Sequence, residues 1–274
     1  MSLADESRML ECALLLAETA SLKVLEILKT DFTTQKKEDN SPVTLADLES
    51  DKILREGLLK NFPHHNILTE ENGLIGNGKS EYTWLIDPLD GTKAFAKKIP
   101  GFCVMIGLLR AGQPHLGVVA DPLETSIYYA LKGEEAFKLQ GPFRKILHVS
   151  DRDIASDMPL IVSTGFPPAA LEKIKAKFSC PVLEPINSVG IKVNSLIQKK
   201  SDVYLNHHDV SLWDTCAPQA ILEAAGGAFS KIDGSVLDYS KIEAPYSHRA
   251  KTIASNGKRH SEWTDWLSET SLFS

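Results

Sequence analysis

Trp84-Leu85-Ile86-Asp87-Pro88-Leu89-Asp90-Gly91-Thr92-Lys93 carries an apolar strand straight into two carboxylates held three residues apart by a proline-bearing turn. Proline fixes φ and glycine supplies conformational freedom, so the segment is a competent turn in its own right. It also has the makings of a metal platform. Mg²⁺ takes hard oxygen ligands in near-octahedral geometry, and such a turn can aim Asp87, Asp90 and the Leu89 carbonyl at one point. Gly91 lets the backbone approach, and Thr92 adds a hydroxyl where a helix would start.

Two other segments bear on this reading. Upstream, Asn66-Ile67-Leu68-Thr69 reads as a short strand ending in the pair Glu70-Glu71. Adjacent carboxylates repel, so they are either a solvated surface pair or partners of a shared cation. Downstream, Leu212-Trp213-Asp214-Thr215-Cys216-Ala217-Pro218 opens a helical pattern from Gln219 to Ala225 that Gly226-Gly227 closes. Asp214 can cap that helix by accepting from its orphan N–H groups. Thr44-x-x-Asp47 reads as a capping box with Asp in place of the usual Glu.

The acidic pair, the run Asp87-Pro88-Leu89-Asp90-Gly91-Thr92 and the pair Trp213-Asp214, in this order and spacing, resemble the lithium-sensitive, magnesium-dependent phosphomonoesterases of the inositol monophosphatase superfamily. Gly91-Thr92-Lys93, Ser41-Pro42-Val43-Thr44-Leu45-Ala46-Asp47 and Trp213 to Pro218 look like its 3′(2′),5′-bisphosphate nucleotidase branch. The resemblance runs from about Lys36 to the C-terminal region. It implies that Glu70, Asp87, Asp90 and Asp214 bind two to three Mg²⁺ ions with the Leu89 carbonyl, and that Asp47 holds or orients a further metal through water. It further implies that Thr92, with Glu70 or Asp47, orients and deprotonates the attacking water, while the Gly91 and Thr92 amides contact the phosphate. Ser188, Gly190 and Lys192, in an expected small-residue loop, join Asp214 as substrate contacts. The Thr30 to Ser41 segment is expected to form a mobile loop near the site, with Lys36 or Lys37 within reach of phosphate.

The chemistry accounts for so many acids in one place. A phosphate monoester is a dianion, which an acidic pocket repels unless metals reverse the local field. Metals also activate water and stabilise the leaving oxygen, so no protein nucleophile is needed. The expected reaction is hydrolysis of 3′-phosphoadenosine 5′-phosphate to AMP and phosphate by metal-activated water. An inositol monophosphatase or other sugar phosphatase is the alternative. A non-catalytic, metal-responsive binding protein is a third reading, against which the intact acids and Thr92 argue.

Three departures bear on the substrate. Bisphosphate nucleotidases of this type carry a Ser-Arg-Ser-His-like segment where this chain has Ser163-Thr164-Gly165-Phe166. Bacterial relatives place an arginine shortly after a Tyr-Pro pair, where this chain reads Tyr204-Leu205-Asn206. Inositol phosphatases present an acid about seven residues before the metal-binding Asp, and that position here is His207, followed by His208.

Composition fits a soluble enzyme. The 274 residues are 43% hydrophobic, enough for a sizeable core. A formal net charge of −6 argues against a nucleic-acid polymer as partner and leaves a small phosphorylated molecule. Cys12, Cys103, Cys180 and Cys216 are dispersed without a C-x-x-C, as in reduced thiols of a cytoplasmic protein. Neither a signal peptide nor a membrane span is read, and a homodimer is left open.

Apolar spacing predicts helices from about Asp5 to Lys29 and from Thr44 to Lys60. Strands are expected at Val104 to Leu109, Leu116 to Ala120 and Ser126 to Ala130, separated by short turns as an antiparallel meander. Further strands are expected near Leu160 to Ser163, Pro181 to Leu183, Val203 to Leu205 and Thr252 to Ser255, with a closing helix around Trp263 to Leu267. The polar stretch Gly133 to Pro142 suggests a boundary between an N-terminal α+β domain (1–138) and a C-terminal α/β domain (139–274). Periodicity alone supports a mixed α/β class. The family resemblance sharpens this to a layered αβαβα sandwich of the inositol monophosphatase and fructose-1,6-bisphosphatase type, with the site between the two parts.

Overall fold

The computed structural model describes residues 3–36, 42–76, 79–270 and 272. The chain opens with helix α1 (Leu3–Leu28), a two-stranded ribbon of β1 (Thr34–Lys36) and β2 (Pro42–Thr44), and helix α2 (Leu45–Asn61). There follow β3 (Asn66–Thr69), β4 (Gly73–Ile75), β5 (Tyr82–Asp90), the short helix α3 (Thr92–Ala96), β6 (Cys103–Arg110), β7 (Gln113–Asp121), β8 (Ser126–Leu131), β9 (Ala136–Gln140) and β10 (Phe143–Leu147). The remainder comprises β11 (Leu160–Val162), α4 (Pro168–Phe178), α5 (Val189–Ile197), β12 (Val203–Leu205), α6 (Leu212–Ala224), β13 (Ala228–Lys231), β14 (Thr252–Ser255) and α7 (His260–Glu269).

These elements build five layers. The large sheet runs β10-β9-β8-β7-β6-β5-β3-β4 and the small one β11-β12-β14-β13. Alternation along β6 sends Val104, Ile106 and Leu108 to a core shared with α1 and α2, and Cys103, Met105 and Leu109 to a core shared with α5 and α6. The small sheet turns Tyr204, Phe229 and Ala254 toward that second core and Val203, Leu205 and Ile253 toward α4 and α7. The order is therefore helices, sheet, helices, sheet, helices, the αβαβα sandwich.

The predicted meander is present as β6, β7 and β8, and it continues through the β9–β10 hairpin. That hairpin occupies the stretch read as a polar connection. The expected boundary at 138/139 falls inside β9, and the chain passes from the large sheet to the small one between Leu147 and Leu160. β10 exposes every residue but its last, so it has no apolar period to read. Pro181 to Leu183 is no strand: only Val182 bridges Leu160. Of the expected Thr30 to Ser41 loop, Thr34–Lys36 pairs in register with Pro42–Thr44, while Lys37 and the rest up to Ser41 lie outside the described residues.

Two glycines set how closely α6 approaches the large sheet. Gly107 and Gly117 face each other across β6 and β7. A Cβ on Gly117 would stand 2.3 Å from the Ala217 carbonyl oxygen, and one on Gly107 2.6 Å from Cys216 Sγ. α6 thus rests directly on the sheet backbone, which fixes the height of its N-terminus and of Asp214. Gly117→Ala should overpack this contact, cost about 2 kcal/mol and lower Tm by about 4 °C or more in a thermal melt.

Candidate active site

β5 reaches Asp90 with an irregularity. Asp87 lies opposite Met105 and Asp90 opposite Cys103, so three steps along β5 match two along β6. This is a β-bulge inside the strand rather than a turn after it. In a regular strand, residues three apart face opposite sides of the sheet; the extra residue lets Asp87 and Asp90 line the same cavity. Pro88 suits the bulge because it has no N–H to pair, and Ser50 Oγ donates to its carbonyl at 2.7 Å. The Leu89 N–H donates to Asp87 Oδ1 at 3.0 Å. Gly91 follows with φ +89°, and a Cβ there would meet the Gly101 carbonyl oxygen at 2.2 Å, so only glycine fits.

Three further acids, Asp90, Asp214 and Asp47, are each held by a helix start. Asp90 Oδ2 accepts from Ser188 Oγ at 2.6 Å and from the Gly190 N–H at 2.8 Å, both at the N-terminus of α5. Asp214 closes a capping box on α6, with the Ser211 N–H donating to its Oδ2 at 2.7 Å. Asp47 closes the box predicted at the start of α2: its Oδ2 accepts from the Thr44 N–H and hydroxyl, each at 2.7 Å. Asp47 Oδ1 lies 2.9 Å from Thr92 Oγ1, which is also 3.0 Å from the Leu89 carbonyl oxygen. The Thr92 hydroxyl has one proton for these two acceptors. Given to Asp47, it leaves the Leu89 carbonyl free to face the cavity.

Two cavities meet at these residues. One, of about 420 Å³, is lined by Glu70, Asp87, Leu89 and Trp213 together with Asp90, Gly91, Thr92 and Asp214. The other, of about 290 Å³, shares Glu70, Asp90, Gly91, Thr92 and Asp214 and adds Lys93, Thr164, Asn187, Asn206 and His208 among its walls. Asp47 is buried behind Thr92 and lines neither. Burial pushes the Asp87 carboxyl well up, reinforced by Glu70 and Asp90. Burial also raises Asp90, against the hydrogen bonds from Ser188 and Gly190 and the Lys192 ammonium. Asp214 is pushed up by loss of solvent and by Asp90. Each upward shift comes first from burial and then from neighbouring carboxylates, and a cation would offset both.

The donor set fits a hard divalent ion. Glu70, Asp87, Leu89, Asp90 and Asp214 line the larger cavity, and among the described residues no His or Cys is in its lining, which suits Mg²⁺ rather than zinc. Among the described residues no group of three or more His, Cys, Asp or Glu side chains stands close enough together, as placed, to hold a metal ion. An open arrangement suits an ion that keeps several of its waters.

The sequence expectations for substrate contacts fare differently. The Ser188 to Lys192 run is the start of helix α5, not a loop, with Ser188 its N-cap. Ser188, Gly190 and Lys192 face inward. Lys192 is fully buried and donates to Ser163 Oγ at 2.8 Å, to the Ile186 carbonyl at 2.8 Å and to the Asn187 carbonyl at 3.0 Å. Its ammonium also stands 4.8 Å from the Tyr204 ring centroid, and burial pulls its pKa down to about 7. All three protons are thus committed to the two segments that wall the smaller cavity, where Thr164 Oγ1 also donates to Asn187 Oδ1. Lys192 shapes the cleft and does not face it. His208 is exposed and lines the cleft, while His207 packs edge-on against Phe166.

Sequence reasoning missed Ser50, the hold of α5 on Asp90, and the cleft residues Asn187, Asn206 and Asp209. Ser50 lies three residues after Asp47, and no pattern separates it from an ordinary helical serine. The helix α5 did leave a signal in Ser188 followed by Val189, Val193, Leu196 and Ile197 at helical spacing.

Comparison with known proteins agrees with this geometry. The inositol monophosphatase family model matches residues 5–269. The 3′(2′),5′-bisphosphate nucleotidase CysQ of Aggregatibacter actinomycetemcomitans is 34% identical over 218 residues, covering 77% of this chain and 80% of that one. The Nus factor SuhB of Pasteurella multocida is 30% identical over 214 residues, covering 75% and 78%. The solved inositol monophosphatase from Anabaena superposes with a TM-score of 0.78 at 28% identity, over 97% of each chain. The chain belongs to the inositol monophosphatase family and is a metal-dependent phosphatase. Among the described residues no helix is long and apolar enough to cross a membrane.

Ser188→Ala removes the shortest of the three hydrogen bonds on Asp90 Oδ2, the others coming from the Gly190 N–H and the Cys103 thiol, without exposing new surface. It should raise the metal concentration needed for half-maximal activity about tenfold or more, read from a metal titration of turnover, with far-UV circular dichroism unchanged.

Proposed function

We propose that the protein is a Mg²⁺-dependent phosphomonoesterase that hydrolyses 3′-phosphoadenosine 5′-phosphate to AMP and phosphate. The observation that carries the phosphomonoesterase reading is the junction of the two cavities on Glu70, Asp90, Gly91, Thr92 and Asp214. An acid-lined chamber opens there onto a cleft of substrate size. The nucleotide part rests on the likeness to CysQ nucleotidases.

Glu70, Asp87, Asp90, Asp214 and the Leu89 carbonyl would hold the metal. Bound there, Mg²⁺ would offset the charge of the phosphate dianion, acidify a water and stabilise the leaving oxygen. The protein's own part is positioning. Thr92, at the start of α3, holds its proton toward Asp47 and turns a lone pair to the cavity, where it can accept from the attacking water. Asp47 acts through Thr92 as a positioning residue, locked by Thr44. The backbone N–H groups of Gly91 and Thr92 would meet a phosphate oxygen, helped by Lys93 in the cleft wall. Four free thiols, three of them buried, fit a reducing compartment and a cytoplasmic enzyme.

One observation favours a second reading. Among the described residues Lys93 is the one Lys or Arg lining the smaller cavity, beside the neutral Thr164, Asn187 and Asn206 and the acid Asp209. Hydroxyl-rich substrates such as an inositol or sugar phosphate suit such a wall.

Phosphate release with Mg²⁺ from adenosine 3′,5′-bisphosphate, AMP, inositol 1-phosphate and fructose 1,6-bisphosphate separates the two. A kcat/KM preference for the adenosine bisphosphate of about a hundredfold supports the nucleotidase. A preference for the inositol or sugar phosphate keeps the metal chemistry and overturns the substrate. Asp90→Asn should cost about a hundredfold or more in kcat/KM, and Li⁺ should inhibit the wild type at working Mg²⁺ levels. Full turnover in Asp90→Asn would remove the metal assignment.

A further inference from the structure

A cavity of about 580 Å³, larger than either of the two that meet at Asp90, lies at the other end of α5, between that helix terminus and the β9–β10 hairpin. α5 starts at the Ser188 and Gly190 donors to Asp90 and ends at Ile197, about 13 Å further on at the usual helical rise. The new cavity is therefore separate from the catalytic cleft while built on the same rod.

Its charge is one-sided. Lys138, Lys145, Lys199 and His148 line it and, among the described residues, no Asp or Glu does, in a chain whose formal net charge is −6. Glu124 takes up Lys138 at 3.2 Å from outside the lining, and His148 lies 3.8 Å from the exposed Glu135. Lys145 and Lys199 have no ion-pair partner among the described residues. Beside them stands an apolar wall with no internal explanation: Phe143 is 75% exposed and Ile146 49% exposed, on the sheet's edge strand. Edge strands carry lysines to deter pairing, which accounts for Lys145 but not for an exposed phenyl ring next to it. Unpaired ammonium groups beside an open aromatic face combine a phosphate anchor with a stacking surface, and the volume is that of a small-molecule site.

We propose that this cavity binds a small anion made of a planar ring and a phosphate, the chemistry of a nucleoside monophosphate, at a site distinct from the acid-lined cleft. Lys145 and Lys199 hold the phosphate and Phe143 stacks on the ring. The proposal does not depend on the identity of the hydrolysed substrate.

The test is calorimetric titration of the full chain with AMP in EDTA, where the cleft carries its acids without divalent ions and repels anions. Saturable binding is expected. Lys145→Glu combined with Lys199→Glu should weaken it about tenfold or more, and Phe143→Ala alone several-fold, while Lys177→Glu on the exposed side of α4 should change nothing. Inorganic phosphate, which lacks the ring, should bind more weakly and be indifferent to Phe143→Ala. No binding of AMP, equal affinity in Phe143→Ala, or phosphate binding as tightly as AMP overturns the proposal. All three lining residues are exposed, and thermal melts of the variants check that they fold.

Discussion

The structure turns on a repulsion left in place. Asp87, Asp90 and Asp214 stand with Glu70 around one chamber, and the burial and neighbouring charge that raise the first three disfavour a fully ionised empty site. Folding holds the three aspartates there because each is fastened by the backbone or a helix start. A bulge fixes Asp87, the start of α5 fixes Asp90 and a capping box fixes Asp214. A divalent cation bound there, as proposed above, would offset that electrostatic cost. Without the fastenings, the carboxylates would turn away from one another toward water.

The sandwich supplies those fastenings from distant parts of the chain. Asp87 and Asp90 come from the large sheet, and Asp214 from a helix lying between the sheets. Gly107 and Gly117 let α6 sit on the sheet backbone, and Gly190 lets α5 close onto the sheet's side chains: a Cβ there would stand 2.5 Å from Cys103 Sγ. Three close contacts made possible by missing side chains therefore set the relative positions of acids more than a hundred residues apart in sequence. Lys192 does parallel work for the cleft, spending a fully buried charge on fixing the Ser163 and Ile186–Asn187 segments rather than on meeting substrate.

Much of this was legible in the sequence, for reasons that differ by element. Strands such as Val104 to Leu109 are legible because they are buried on both faces and bounded by turn residues, and α2 because Thr44 and Asp47 mark its start. The acids stand out in the sequence because three motifs agree in order and spacing. What could not be read depends on tertiary context. Pro88 signals an irregularity but does not distinguish a bulge within β5 from a turn after it. Lys192 looks the same in sequence whether solvated, bound to phosphate or buried under Tyr204. The β9–β10 hairpin reads as polar connection because β10 lies at the sheet's edge with little to bury, and its one aromatic is exposed.

Thermal stability measured across a Mg²⁺ series, for the wild type and Asp90→Asn side by side, tests the central claim most directly. If the chamber is a divalent-cation site, the wild-type Tm rises with Mg²⁺, by an amount corresponding to about 2.7 kcal/mol at a hundredfold excess over Kd, and the Asp90→Asn curve stays nearly flat. A wild-type Tm that ignores Mg²⁺ over the concentrations that support turnover would contradict the account.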